Sequence, residues 1–179
     1  GPSPVNAHSV RLLLEYLRGL SRKPLDPERL RADLGAESSI ARDCVASLWH
    51  ALAHPEGKTL MLYEEWKRLF GQVAGYGPQQ VPELVEMQRQ YGLTNHNDIS
   101  RVLFAVHTYY ALIIKLLAAE ILILLRQGME YSFVERASLV PAEELRADLT
   151  RLEEGGVFRN LEIENLLEGD FFSWYLDVW

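Results

Sequence analysis

The chain has 179 residues, 48% of them hydrophobic and 24% charged, with a formal net charge of −7. This length and composition suit one soluble domain with a real core, and the acidic balance argues against independent nucleic-acid binding, because a phosphate backbone demands a basic surface. The single cysteine, Cys44, excludes an internal disulfide and a cysteine-rich zinc site and fits a reducing compartment.

Gly1-Pro2-Ser3 reads as the scar left when a tag is cut off, and GPSPVNAHS lacks the apolar stretch of a secretory signal. Residues 4–179 are therefore expected to be a single helical domain excised from a larger protein. From Val10 to Leu20, residues Val10, Leu13, Leu14 and Leu17 share one face of a short amphipathic helix that Pro24 ends. Asp26 and Pro27 supply an N-cap and an N1 proline for Glu28 to Leu34, stopped by Gly35. Ser38 or Ser39 caps the next helix, which carries Ile40, Cys44, Val45, Leu48, Trp49 and Leu52 until Pro55. Lys58 to Val73 follows, with Leu62, Trp66, Leu69, Phe70 and Val73 expected inward. Gly75-Tyr76-Gly77-Pro78 is a turn signal, and Val81 to Tyr91 makes one more helix with Pro82 in its first turn.

The dominant stretch is Ile99 to Gln127, ISRVLFAVHTYYALIIKLLAAEILILLRQ, with no Pro or Gly inside it. As a helix it spans on the order of 40 Å, enough to cross a small domain. Asn97 or Asp98 caps its start; Arg126 and Gly128 mark its end. It is long enough to span a bilayer, but Lys115 lies near its middle and Glu120 soon after. A central charge in a membrane costs about 2.5–3.5 kcal/mol, and Arg101 and Arg126 give no positive-inside asymmetry. A buried core helix is the better reading. His107, Ala111, Lys115, Ala118 and Ala119 form a small, polar stripe, so His107, Lys115 and Glu120 are candidates for a buried polar cluster. Lys115 is expected to be paired, because a lone buried ammonium is costly.

Met129 to Val140 is less regular. Pro141-Ala142-Glu143-Glu144 opens a helix with acidic residues in its first turn, running to about Glu154 and stopping at Gly155-Gly156. Leu161 and Ile163 alternate with Glu162 and Glu164, as a short strand or an equally acceptable packed loop. Asp170 caps the aromatic end. Phe171, Trp174, Tyr175 and Val178 form one helical stripe that should fold back on the core, while Phe172 and Trp179 fall on another side as a candidate interface for self-association. The architecture is all-α, a multi-helix domain around one long central hydrophobic helix at 99–127.

Motifs with chemical potential are few. His50 and His54 stand at i and i+4, but Ala51 replaces the Glu of a zinc-peptidase pattern and no third ligand follows. Glu65-Trp66-Lys67 matches half of a restriction-nuclease motif, yet it lies in a helical pattern rather than on a strand. Gly155-Gly156 follows a charged helix, not a buried strand, so it is no nucleotide loop. Thr108 and Ser173 lie in no nucleophile elbow, and Tyr109, Tyr110 and Phe104 sit inside the most apolar helix, where core packing outweighs base stacking. No catalytic, cofactor-binding or metal-ligating residue is assigned.

Four segments in order carry a resemblance. LDPERLRADLGAESSIARDCVASLWHAL (25–52), LYEEWKRLFGQVAGYG (62–77), LFAVHTYYALIIKLLAAEIL (103–122) and NLLEGDFFSWYLDVW (165–179) together resemble the helical region upstream of the catalytic domain in bacterial N6-adenine DNA methyltransferases of restriction–modification and phage-defence systems, including type IIG-like proteins. The resemblance implies a helical connector or scaffold that positions the catalytic domain in the cytoplasm. Its partners would be the remaining domains of the parent and, through the parent, DNA. The parent would bind S-adenosylmethionine, but this stretch has no Pro-Pro pair of the adenine-holding motif and no alternating βα pattern, so no catalytic residue carries over. The alternative is an autonomous helical module that binds another subunit.

Overall fold

The structure, a computed structural model, describes residues 10, 13–14, 26–74, 81–93, 98–125, 132–160, 162–164, 166 and 171–178. Among them are eight α-helices: α1 (Pro27–Leu34), α2 (Ser39–Ala51), α3 (Gly57–Ala74), α4 (Val81–Gln90), α5 (Ile99–Leu125), α6 (Phe133–Leu139), α7 (Ala142–Glu153) and α8 (Gly156–Arg159). A C-terminal 3-10 segment, Phe171–Leu176, completes the described chain, which holds no strand. Of the helix expected over Val10 to Leu20, Val10, Leu13 and Leu14 are helical and buried. The turn at Gly75–Pro78, Asn97, Arg126, Gln127, Gly128, Leu161, Asp170 and Trp179 lie outside the described residues.

Helix starts follow side-chain chemistry. Asp26 Oδ1 accepts from the Arg29 N–H at 2.8 Å, with Pro27 at N1. Ser38 Oγ accepts from Ala41 N at 3.0 Å, Asp98 Oδ1 from Arg101 N at 3.0 Å and Ser132 Oγ from Glu135 N at 2.9 Å. Each bond satisfies a first-turn donor that has no partner inside its own helix. Gly35 ends α1 by turning extended at ψ 172 while its N–H still reaches the Arg31 carbonyl, and only glycine fits there, since a Cβ would stand 2.2 Å from that oxygen. Gly155 takes the left-handed conformation, φ 73, and separates α7 from α8.

Helix α5 is the axis. It packs against α2, α3, α6, α7 and the 3-10 segment, and Val102, Phe104, Ala105, Thr108, Tyr109, Leu116 and Ala119 are fully enclosed. Ile99–Ile123 is long and apolar enough to cross a membrane by length and composition, with a mean hydropathy of 1.8 in its most apolar stretch, yet 67% of that stretch is buried inside the fold. Helix α2 lies along it through Ala41, Val45, Leu48 and Trp49, the spacing of one helix face. Arg101 ties the two together. Its guanidinium stands 3.6 Å from the centroid of a Trp49 ring, and its Nε donates to the Trp49 carbonyl at 3.0 Å.

Several expectations need adjustment. On α3 the buried stripe is Thr59, Tyr63 and Trp66, with Phe70 half-buried, and Leu69 points outward at 37% exposure. The flat rings set the phase: Tyr63 and Trp66 pack on Phe104, and Trp66 stacks on Phe70. That turns Leu69 about a quarter of a turn away. The less regular stretch contains α6, seven residues held by the Ser132 cap. Near Ile163 the chain is a packed turn. Glu162 sits at φ 59, and the Ile163 N–H returns to the Phe158 carbonyl at 3.0 Å, a helix-closing bond that no extended strand can make. The aromatic end is 3-10 rather than α, so i and i+3 share a face and Phe172 aligns with Tyr175 instead of standing apart.

Candidate functional site

The residue types able to do chemistry gather where the 3-10 segment meets α5 and α7. α5 contributes Thr108 and Lys115, both buried, and α7 contributes Glu153, at 6% exposure. Lys115 Nζ donates to Glu153 Oε2, and Tyr175 OH donates to Glu153 Oε1 at 2.8 Å. One helical turn pair away, Trp174 Nε1 donates to Thr108 Oγ1 at 2.8 Å, while Thr108 donates to the Phe104 carbonyl at 2.8 Å. Nη2 and Nε of Arg146 donate to the Leu176 carbonyl, at 2.9 and 3.3 Å. Thr108, Lys115, Glu153, Trp174 and Tyr175 are all buried, so their contacts are sealed from solvent, whereas Arg146 reaches the Leu176 carbonyl from the exposed side. In that low-dielectric setting a charge pair with completed hydrogen bonds holds elements in place; removing one member strands the other.

The three residues singled out on the central helix take up different settings. Lys115 belongs to the network above. Glu120 is turned towards α6, where its Oε2 accepts from Val134 N at 3.2 Å and its buried Oε1 has no hydrogen-bond partner among the described residues. His107 is half-buried among rings: Phe70, Trp66 and Phe172 meet it edge-on at 4.7, 5.5 and 6.2 Å between centroids. Burial lowers its pKa below the usual imidazole value, because the apolar rings favour the neutral form. Phe172 is half-buried, with its ring 5.9 Å from Phe104.

Other motifs resolve into structural roles. Helix α2 ends at Ala51, so His54 is not on the helix face that carries His50, and both are exposed. No group of three potential metal ligands occurs among the described residues. On α3, Glu65 pairs with Arg68 at 2.6 Å, Lys67 with Glu64 at 3.9 Å, and Trp66 faces the core, so the triplet does not converge. Tyr109 OH donates to the Leu34 carbonyl at 3.0 Å and Tyr91 OH to Tyr110 OH at 3.1 Å, which uses both tyrosines of the pair internally. Cys44 borders a small apolar cavity of about 30 Å³ with Val10, Leu48, Tyr109 and Tyr175. Burial, with a smaller push from Asp43, raises its thiol to about 12, so it stays protonated and a poor nucleophile.

The partners of Lys115 were not identified from sequence, although a signal existed. Glu153 lies at i+4 from Leu149 and i+8 from Leu145, on the buried face of α7, where a carboxylate needs a cation. Asp148 shares that face, accepts from Arg136 at 3.3 Å and pairs with Arg151 at 3.5 Å. Tyr175 gave no such signal, since its hydroxyl is one among five aromatic side chains in nine residues.

Comparison with known proteins finds no match to this chain among family models, curated proteins or solved structures.

Proposed function

We propose that this domain is a helical connector or scaffold of a bacterial N6-adenine DNA methyltransferase of a restriction–modification or phage-defence system. In this reading it works in the cytoplasm and holds the catalytic domain in place, while S-adenosylmethionine and DNA are bound by the parent protein rather than by this stretch. The four ordered segments quoted above suggest the family. The observation that carries the mechanical role is the anchoring of the 3-10 segment. Its side chains and carbonyl are tied to α5 and α7 by Trp174–Thr108, Tyr175–Glu153 and Arg146–Leu176, and Asp177 lies 3.7 Å from Lys58 of α3. A segment gripped by three helices keeps its position relative to them, which a flexible linker does not.

An interaction module is the second reading. It is favoured by the outward face of α5, where Ile114 and Ile121 are 53% and 41% exposed, i and i+7 apart, with half-buried Leu117 between them. The gene separates the two. Reading it beyond this stretch is expected to reveal a glycine-containing turn and an Asn/Asp-Pro-Pro-Tyr/Phe motif; their absence overturns the methyltransferase assignment. In calorimetry, this domain alone is expected to give no saturable heat with S-adenosylmethionine, and a micromolar isotherm overturns the assignment of cofactor binding to the rest of the parent.

A further inference from the structure

The outward face of α5 differs from the other helix surfaces. Exposed positions on α3, α4 and α7 carry charge, as at Arg68, Arg89 and Arg151. On α5, past Arg101, the acidic and basic side chains besides His107 are Lys115 and Glu120, and both are buried. What stays outside is a stripe of Ala111, Ile114, Ala118 and Ile121, with the two isoleucines exposed and the two alanines half-buried. The steps along it are three, four and three residues, the a and d spacing of a heptad. Read from the other end the steps are again three, four and three, with small and large residues exchanged. Two copies of α5 laid antiparallel therefore match. About a two-fold axis at the height of Leu116, Ile114 of each copy meets Ala118 of the other, and Ile121 meets Ala111. Every layer then pairs one large side chain with one small, which keeps the two helices evenly spaced. A parallel pair would set isoleucine on isoleucine and alanine on alanine, crowding the helices at one layer and parting them at the next.

We propose that this face docks a second copy of the chain, α5 against α5 in antiparallel register. The stripe is free of charge, so two copies meet there without setting like charges against each other. From Ala111 to Ile121 the contact is about three helical turns long. That covers less than the about 800 Å² per partner of a standard interface, so the assembly is a weak, reversible dimer. The formal net charge of −7 on each chain opposes the approach of two copies, most of all at low salt. The inference rests on the interaction-module reading and names its partner. That reading is tested separately, by the methyltransferase motifs in the gene.

Sedimentation equilibrium of the full chain from about 10 µM to about 1 mM tests this. The average mass is expected to rise from one chain towards two across that range. It should rise further as salt is added, because screening weakens the repulsion while the apolar contact remains. Ile114→Glu and Ala118→Lys should each weaken the dimer on the order of tenfold or more, since each buries a charge without a partner. An equal mixture of the two should regain it, because the new carboxylate of one chain then faces the new ammonium of the other. A wild type that is monomeric throughout, or a dimer that salt weakens, overturns the proposal. So does a dimer undiminished in Ile114→Glu, or a mixture that associates no better than either variant alone. Should Ala118→Lys not fold, Ile114→Glu alone decides: loss of the dimer supports the α5 face, and an undiminished dimer overturns it.

Discussion

Ion pairs in this molecule stand in opposite surroundings. On the outer faces of α3 and α4, Arg68 grips Glu65 and Arg89 grips Glu86 in two-pronged contacts whose shorter arms are 2.6 and 2.7 Å. These side chains are between 45% and 70% exposed. In the core, Lys115 meets Glu153 with both side chains at most 4% exposed. Water and salt screen the outer pairs, and holding two long side chains still offsets most of the attraction. Hydrogen bonding from Arg68 lowers the Glu65 pKa below the usual carboxylate range without making that pair important to the fold. The inner pair was desolvated when the chain folded, so each partner depends on the other. Burial, more than contact geometry, is therefore expected to decide how much an ion pair matters to the fold.

The largest expected effect breaks the inner pair. Lys115→Ala strands Glu153 beside Tyr175 and should cost about 3–5 kcal/mol in urea unfolding. A midpoint equal to wild type would place the ammonium in water. Replacing all three partners by apolar residues, Lys115→Met with Glu153→Leu and Tyr175→Phe, should recover most of that loss, because neither a charge nor the Tyr175 hydroxyl is then left alone.

Tyr175→Phe is next. It removes one hydroxyl donor from a charged acceptor and should cost roughly 1.5–3 kcal/mol by the same measurement. A change below the error of the fit would separate Tyr175 from the network.

A smaller, pH-dependent effect belongs to His107. Its folded pKa lies below the unfolded value of 6.5, so between the two the unfolded chain binds more protons. Stability held above about pH 6.5 should therefore fall as the pH drops through the folded pKa. Urea midpoints at neutral and mildly acidic pH should draw closer together in His107→Gln than in wild type. An equal pH slope in both proteins would remove His107 from the acid response.

The smallest effect is expected outside. Arg68→Ala and Arg89→Ala should leave the thermal midpoint within experimental error at physiological salt. A clear drop for either would mean that an outer pair contributes as the inner one does.

Much of the architecture was legible in the chain because it is written locally. The caps at Asp26, Ser38 and Asp98, the Pro27 start and the Gly35 stop act through neighbours within four residues. The long uninterrupted run of α5 needed only its composition to be read as a core helix with an inward Lys115. Helix α6 escaped because seven residues give periodicity too little length, and its Ser132 cap stands beside no apolar stripe long enough to recognise.

Tertiary structure decided the pairings and the phase. That Lys115 required a partner follows from the desolvation of any buried ammonium; that Glu153 supplies it, 38 residues away, depends on how α7 lies across α5. The turning of Leu69 outward depends on rings from α5 meeting Tyr63 and Trp66. The 3-10 winding of the aromatic end brings Trp174 to Thr108, 66 residues before it, and aligns Phe172 with Tyr175. Local sequence sets propensity and capping over a few residues, whereas contacts across dozens of residues exist only once the helices have packed and excluded water from the groups between them.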